Sequence, residues 1–347
     1  MFKNTSQVRP QAGIFALLLC MLFVDTAAGQ AAGSFARLGF GARGMAMSNA
    51  LIADTGGNTS PYYNPALAPF ATRQNLQASV AFMTFDRELQ TLQFASALPP
   101  SAGVAIGLIH AGVSNIDGRS SSGYHTETLS TDEYAVFLAF GLKLGQRASI
   151  GLGLQVFRAD YLADLEPVNS AGLDVGLTIQ VTRDLRIGVV ADDLLAKYLW
   201  DTSGVLSDGG KSTSDNFPTR LRIGGKYALA GGRASVVAEY ESRVSTFEYR
   251  TRLVEEVGLE PVEVVQTNEL QLQQNLFRIG GEYKLAEQFV LRGGVDRIGD
   301  TDGGIRPTAG FMLAQPLGSL SAWFEYAFAL EPYGTGTMHV LTLRLFL

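Results

Sequence analysis

The chain has 347 residues, 46% of them hydrophobic and only 17% charged, against about 25% charged in an ordinary soluble domain. Its 27 Lys and Arg against 33 Asp and Glu leave a formal charge of -6. No Lys/Arg-rich block is present to match a phosphate backbone, which argues against nucleic acid as a partner, and the low charge argues against disorder.

Residues 1–29 read as a secretory signal peptide. Lys3 and Arg9 precede an 11-residue apolar run from Ile14 to Val24, and Thr26-Ala27-Ala28-Gly29 supplies the small residues for cleavage. That run is far short of the ~20 residues that a spanning helix needs. Cys20, the only cysteine, lies inside it, so the mature chain is expected to carry no disulfide and no thiol nucleophile.

Residues 30–73 show no strand-like alternation. Gly39-Phe40-Gly41-Ala42-Arg43-Gly44 has the spacing of a dinucleotide loop, but neither a preceding strand nor a βαβ unit frames it. The stretch is otherwise rich in reversal chemistry. Asp54 and Asn64 can bond backbone groups that lack a ladder, while Gly56 and Pro61 permit tight turns. An ordinary loop held by an Asx-turn would use the same residue types.

From residue 74 onward, period-2 alternation predicts fourteen strands, near 74–85, 88–98, 103–115, 131–144, 148–160, 170–182, 184–193, 218–229, 233–249, 272–285, 287–298, 306–315, 319–330 and 336–347. Joins after even-numbered strands are tight, as at Gly145 to Arg147. Most joins after odd-numbered strands are longer and polar, as at Ile116 to Ser130 and Arg250 to Gln271. Short turns at one rim and long connections at the other predict an all-β, antiparallel transmembrane barrel.

The two strand faces differ in kind. One carries residues such as Tyr134, Val136, Leu138 and Phe140; the other carries glycines, among them Gly141, Gly151, Gly176, Gly188, Gly224, Gly280, Gly294 and Gly310. Charges of the later strands share the glycine face: Arg220, Arg222, Lys226, Glu239, Glu241, Arg278, Glu282, Lys284, Arg292, Asp296, Glu325 and Arg344. A Lys or Arg facing mid-bilayer lipid costs roughly 2 to 4 kcal/mol, so the glycine-and-charge face is expected to be a lumen carrying an ionic network. The apolar face then meets outer-membrane lipid.

Gly41-Ala42-Arg43-Gly44-Met45-Ala46-Met47-Ser48-Asn49-Ala50, then Ala53-Asp54 and Tyr62-Tyr63-Asn64-Pro65-Ala66-Leu67-Ala68, resemble the amino-terminal region of the PorV/PorQ family. That family belongs to the wider superfamily of FadL-like long-chain fatty acid transporters, and the fourteen strands extend the likeness along the chain. The resemblance implies an N-terminal hatch over residues 30–73 that plugs a barrel of residues 74–347, with Gly41, Arg43, Asp54, Asn64, Pro65 and Ala66 as its motif. It implies a bacterial outer-membrane component associated with type IX secretion, acting through secretion-system proteins. The alternative is a passive transporter of a small hydrophobic ligand such as a fatty acid. Leu194 to Trp200 is the one apolar stretch in a connection; Leu195, Tyr198, Leu199 and Trp200 could form a helical turn, a ligand or partner contact, or an extension of the strand.

Nothing in the sequence points to catalysis or a cofactor. His110, His125 and His339 are far apart without metal-ligand spacing, and no G-x-S-x-G occurs. A non-enzymatic protein without metal is expected.

Overall fold

The computed structural model describes residues 32–56, 60–162, 165–203, 212–257, 260–300, 304–318, 320–331 and 335–347. The expected signal peptide lies outside the described residues.

Among the described residues, fourteen of the sixteen strands close into one antiparallel barrel. In chain order they begin with β1 (Asn75–Phe82), β2 (Arg87–Leu98), β3 (Ala102–Arg119), β4 (His125–Leu144), β5 (Ala148–Asp160), β6 (Val168–Gln180) and β7 (Leu185–Leu194). After a short two-stranded sheet of β8 (Lys197–Asp201) and β9 (Ser212–Asn216), the barrel resumes with β10 (Thr219–Leu229), β11 (Ala234–Val257) and β12 (Glu260–Ala286). It ends with β13 (Phe289–Ile298), β14 (Arg306–Leu317), β15 (Leu320–Leu330) and β16 (Thr337–Phe346). Each barrel strand pairs with its sequence neighbour in the ring, and β1 closes on β16 from Asn75↔Phe346 to Phe82↔His339.

Alternation fixes which face looks out. Ile106 and Leu138 are 50% exposed and Leu152 and Phe324 are 54% exposed, whereas Gln77, Gln93, Glu239 and Arg344, on the opposite parity, are buried. In water this would be an inverted protein. In a bilayer it is the stable arrangement, because closure pairs every strand edge and the charges turn away from hydrocarbon. An even-stranded ring of this polarity belongs to the bacterial outer membrane, and that is where this protein resides.

The structure departs from the sequence expectation at the long connections. Residues 116–130 are mostly ladder: Ile116↔Leu129, Asp117↔Thr128 and Arg119↔His125 pair, leaving a turn at 120–124. Residues 250–257 are likewise paired with residues 260–267, and 268–271 with 246–249. Where both faces of a strand are wet, the polarity contrast fades while the backbone ladder continues, so the pattern falls silent. Leu195 to Trp200 also departs, forming neither a helical turn nor an extension of β7. Lys197 to Asp201 is β8, and Tyr198 is buried against Phe217 with ring centroids 4.9 Å apart. Leu195 and Leu199 are exposed, and Trp200 stacks on Tyr161 at 5.3 Å.

Candidate functional site

Ahead of β1, the described residues 32–56 and 60–74 pack against the inner face of the ring. They form a 3-10 turn at Ser34–Arg37, a short helix α1 at Gly41–Ala46 and a second 3-10 turn at Pro65–Phe70. The sequence explains the second turn. Pro65 occupies its first position, with φ already suited to it, and the Asn64 side chain caps it by accepting from the Ala66 amide at 2.9 Å. The amide end of Asn64 donates to the Ile52 carbonyl at 2.7 Å and to Thr178 Oγ1 at 3.1 Å. Asn64 therefore joins two parts of the inner segment to strand β6.

A belt of glycines receives this segment. Cross-strand pairs Gly103↔Gly141, Gly141↔Gly151, Gly151↔Gly176, Gly188↔Gly224 and Gly280↔Gly294 run around the lumen. A Cβ at Gly103 would collide with the Ala68 carbonyl, at Gly151 with the Pro65–Ala66 peptide, at Gly176 with Asn64 Oδ1, and at Gly188 with the Ile52 carbonyl. At Gly280 it would meet the Met47 carbonyl. The absence of side chains lets one backbone lie flush on another. Wall hydroxyls complete the contact: Thr342 Oγ1 accepts from the Ala42 amide at 2.8 Å, and Ser149 donates to the Ala66 carbonyl at 2.9 Å.

Ion pairs bind the segment to the other side. Arg43 of α1 pairs with Asp54 and reaches Glu282 at 3.2 Å, while the Lys226 ammonium donates to Asp54 Oδ1 at 2.7 Å. From Glu282 the chain of charges continues through Arg292 at 3.5 Å to Glu325 at 3.3 Å and Arg344 at 3.8 Å. Burial by itself would raise the Asp54 carboxyl, but the charges of Arg43 and Lys226 outweigh it and hold the group well below the usual carboxylate range. A second network joins Arg222 to Asp192 at 2.6 Å and to Glu239 at 3.6 Å, and joins Arg278 to Glu239, Glu241 and Asp296 at 2.9, 2.7 and 2.9 Å. Arg220 pairs with Asp193 at 2.9 Å. Arg222 also donates to the Tyr63 carbonyl at 2.7 Å, a second ionic hold on the inner segment.

Of the expected lumen charges, the structure brings Lys226, Glu282, Arg292, Glu325 and Arg344 into one network with Arg43 and Asp54, and Arg222, Glu239, Glu241, Arg278 and Asp296 into a second; Arg220 pairs with Asp193, and Lys284 is exposed. Pro65 and Ala66 belong to the capped turn, and Gly41 opens α1 beside Gln77. Leu195, Tyr198, Leu199 and Trp200 stand apart, on and around the β8–β9 hairpin. Sequence reasoning missed Asp174, Asp192 and Asp193, although Asp192 shares the parity of Gly188 four residues earlier.

A cavity of about 320 Å³ lies between the Ser34–Arg37 turn and the wall, toward the rim of the longer connections. Phe35, Leu38, Met83, Val113 and Met338 give it an apolar part. Six arginines (Arg37, Arg87, Arg243, Arg278, Arg297 and Arg306) and three glutamates (Glu88, Glu133 and Glu331) give it a polar one. The carboxylates that pair Arg243, Arg278 and Arg306 are not among its lining residues. Buried Nε atoms of Arg297 and Arg306 lack a hydrogen-bond partner among the described residues. Burial, and next the repulsion of Arg243, lower the Arg37 guanidinium to about 9. Two smaller cavities, of about 20 and 10 Å³, hold little beyond a water molecule.

A ring of fourteen strands with a chain segment in its lumen and one amphipathic cavity defines a blocked outer-membrane barrel. Three solved structures share that fold. The toluene transporter TodX of Pseudomonas putida is 13% identical, with 88% of this chain and 97% of that one covered at a TM-score of 0.58. A FadL homologue of Pseudomonas aeruginosa is 14% identical, covering 88% and 99% at 0.56. The toluene transporter TbuX of Ralstonia pickettii is 16% identical, covering 88% and 97% at 0.53. At these identities the likeness is one of fold. No protein-family model matches the chain, and no match was found among curated proteins.

Proposed function

We propose that the protein is a passive channel for small hydrophobic compounds bearing an anionic head, with residues 30–73 acting as the hatch. The observation that carries this reading is the cavity of about 320 Å³, apolar at Phe35, Leu38 and Met338 and guanidinium-lined at Arg243, Arg297 and Arg306. Its size falls in the range of small-molecule sites, about 300–1,000 Å³. An apolar tail and a carboxylate would satisfy its two parts together. The proteins named as toluene transporters, and the FadL homologue, support a hydrophobic substrate by analogy of fold alone.

The inner segment fills the lumen below the cavity, so passage requires it to shift. The test is uptake of radiolabelled decanoate and of toluene into proteoliposomes, comparing the parent with an Arg297→Ala/Arg306→Ala variant. Decanoate uptake should fall at least about fivefold in the variant, the effect of losing roughly 1 kcal/mol of charge-assisted hydrogen bonding. Parent uptake no faster than that of empty liposomes would overturn the reading.

The secretion-associated reading rests on the resemblance of residues 41–50 and 62–68 to the PorV/PorQ family. It requires that deletion of the protein abolish export of secreted proteins; export at the normal level removes it.

A further inference from the structure

Glu133 stands in apolar company. On the lumen face of β4 it is followed by Ala135, Phe137, Ala139 and Gly141, and its cross-strand partners are Ala111 of β3 and Ala159 of β5. It belongs to neither ionic network. The Tyr161 hydroxyl approaches its carboxyl, yet Oε2 is buried without a hydrogen-bond partner among the described residues. A buried acceptor left unpaired is costly and calls for a cause.

The far wall of the same cavity has the complementary defect. Glu133 lines the cavity from β4, while Arg306 at the start of β14 and Arg297 in β13 line it from six and seven places away round the fourteen-strand ring, close to a diameter. Arg306 pairs with Asp296, and Arg297 with Asp300 at 2.6 Å, but the Nε of each is buried without an acceptor among the described residues. Between the two ends the lining is apolar or already satisfied. Ala111, Val113, Met83 and Met338 supply the wall, and Phe35 and Leu38 the inner side. Arg87 pairs with Glu331, which also accepts from the Thr84 amide at 3.0 Å, and the exposed Glu88 accepts from Gln90 at 3.2 Å. Arg37 donates to the Ala32 carbonyl at 2.8 Å.

We infer that the cavity takes a bifunctional solute: an apolar chain with a carboxylate at one end, against Arg297 and Arg306, and a hydrogen-bond donor at the other, against Glu133. The inference rests on the channel reading above and deepens it by fixing the far end of the same substrate. Separation carries the argument. A simple fatty acid leaves Glu133 unpaired, and a donor placed next to the carboxylate cannot reach across the ring. A hydroxyl and an ammonium share this chemistry. Glu133→Gln tells them apart, because an amide oxygen still accepts from a hydroxyl but offers an ammonium no charge.

The experiment measures binding by titration calorimetry on the full chain in lipid nanodiscs, with decanoate, 2-hydroxydecanoate, 10-hydroxydecanoate and 10-aminodecanoate. At least one of the 10-substituted acids should bind about fivefold tighter than decanoate, the equivalent of roughly 1 kcal/mol for one added hydrogen bond. Glu133→Ala should bring all of these acids to the same affinity. In Glu133→Gln, a margin that survives marks a hydroxyl as the donor, and one that vanishes marks an ammonium. No margin in the parent, a margin kept in Glu133→Ala, or an equal margin for 2-hydroxydecanoate would overturn the inference. Uptake of the same acids into proteoliposomes separates it from the reading on which it rests. A binding margin without uptake of any acid removes the channel and leaves the site; decanoate uptake without a margin removes the site and leaves the channel.

Discussion

Two arcs of the wall hold the same inner segment by different physics. Along β3 to β7 the belt glycines have mostly small or apolar lumen neighbours two residues away: Ala105 beside Gly103, Ala139 beside Gly141, and Ser149 and Gly153 beside Gly151. Along β10 to β13 the belt glycines are flanked by charge instead: Arg222 and Lys226 about Gly224, Arg278 and Glu282 about Gly280, Arg292 and Asp296 about Gly294. One arc matches shape and the other matches charge. Close packing fixes where the segment sits, because a backbone in contact with a backbone has no slack. Ion pairs fix how firmly it is held, because each guanidinium can exchange one carboxylate for another. A segment that must move is expected to part first from the ionic arc.

The largest expected effect comes from cutting that arc. Asp54→Ala leaves Arg43 and Lys226 buried without the carboxylate they share, and breaking such a pair costs about 3–5 kcal/mol. Amide hydrogen exchange over residues 41–56 should rise steeply, and uptake of decanoate should increase as the hatch loosens. Unchanged exchange would show that the charged arc is not what holds the segment.

Gly151→Leu probes the other arc. A side chain there meets the Pro65–Ala66 peptide, an overpacking worth about 1–3 kcal/mol. Exchange should rise at residues 64–70 and stay low around Arg43. A uniform rise over both regions would mean that the two arcs act as one unit.

Asn64→Ala removes the cap of the Pro65–Phe70 turn along with two further donor contacts, and a lost cap costs about 0.5–2 kcal/mol. Protection near Ala66 should decrease more than protection near Ala46.

The smallest effect is expected from pH. Asp54 has a depressed folded-state pKa, so its contribution to stability is complete above its unfolded value of about 3.9 and is lost only as pH falls toward the folded value. Exchange over residues 41–56, corrected for intrinsic rate, should be flat from about pH 8 to pH 5. A midpoint near neutrality would assign the hold to some other group.

The ring was legible in the sequence because each barrel strand meets lipid on one side and a polar lumen on the other, which prints its period directly. The glycine belt was legible as a lumen face, but its purpose was not. Which backbone lies on Gly176 or Gly280 depends on how the inner segment folds, and that segment has no period. The ionic networks were half legible. Parity located Arg222, Glu239 and Arg278, whereas Asp192 and Asp193 are adjacent at the end of the strand expected over 184–193, where alternation sends neighbours to opposite faces; a register shift between β6 and β7 at that end leaves both buried. The β8–β9 hairpin was missed because five residues are too few to establish alternation.

The Ala42 amide meets Thr342 on β16, 300 residues further along the chain, and β16 is the strand that shuts the ring against β1. The order of assembly is thereby constrained. That contact can form only once the last strand has been made, so seating of the inner segment at this point belongs to the late steps of folding, when β16 zips along β1.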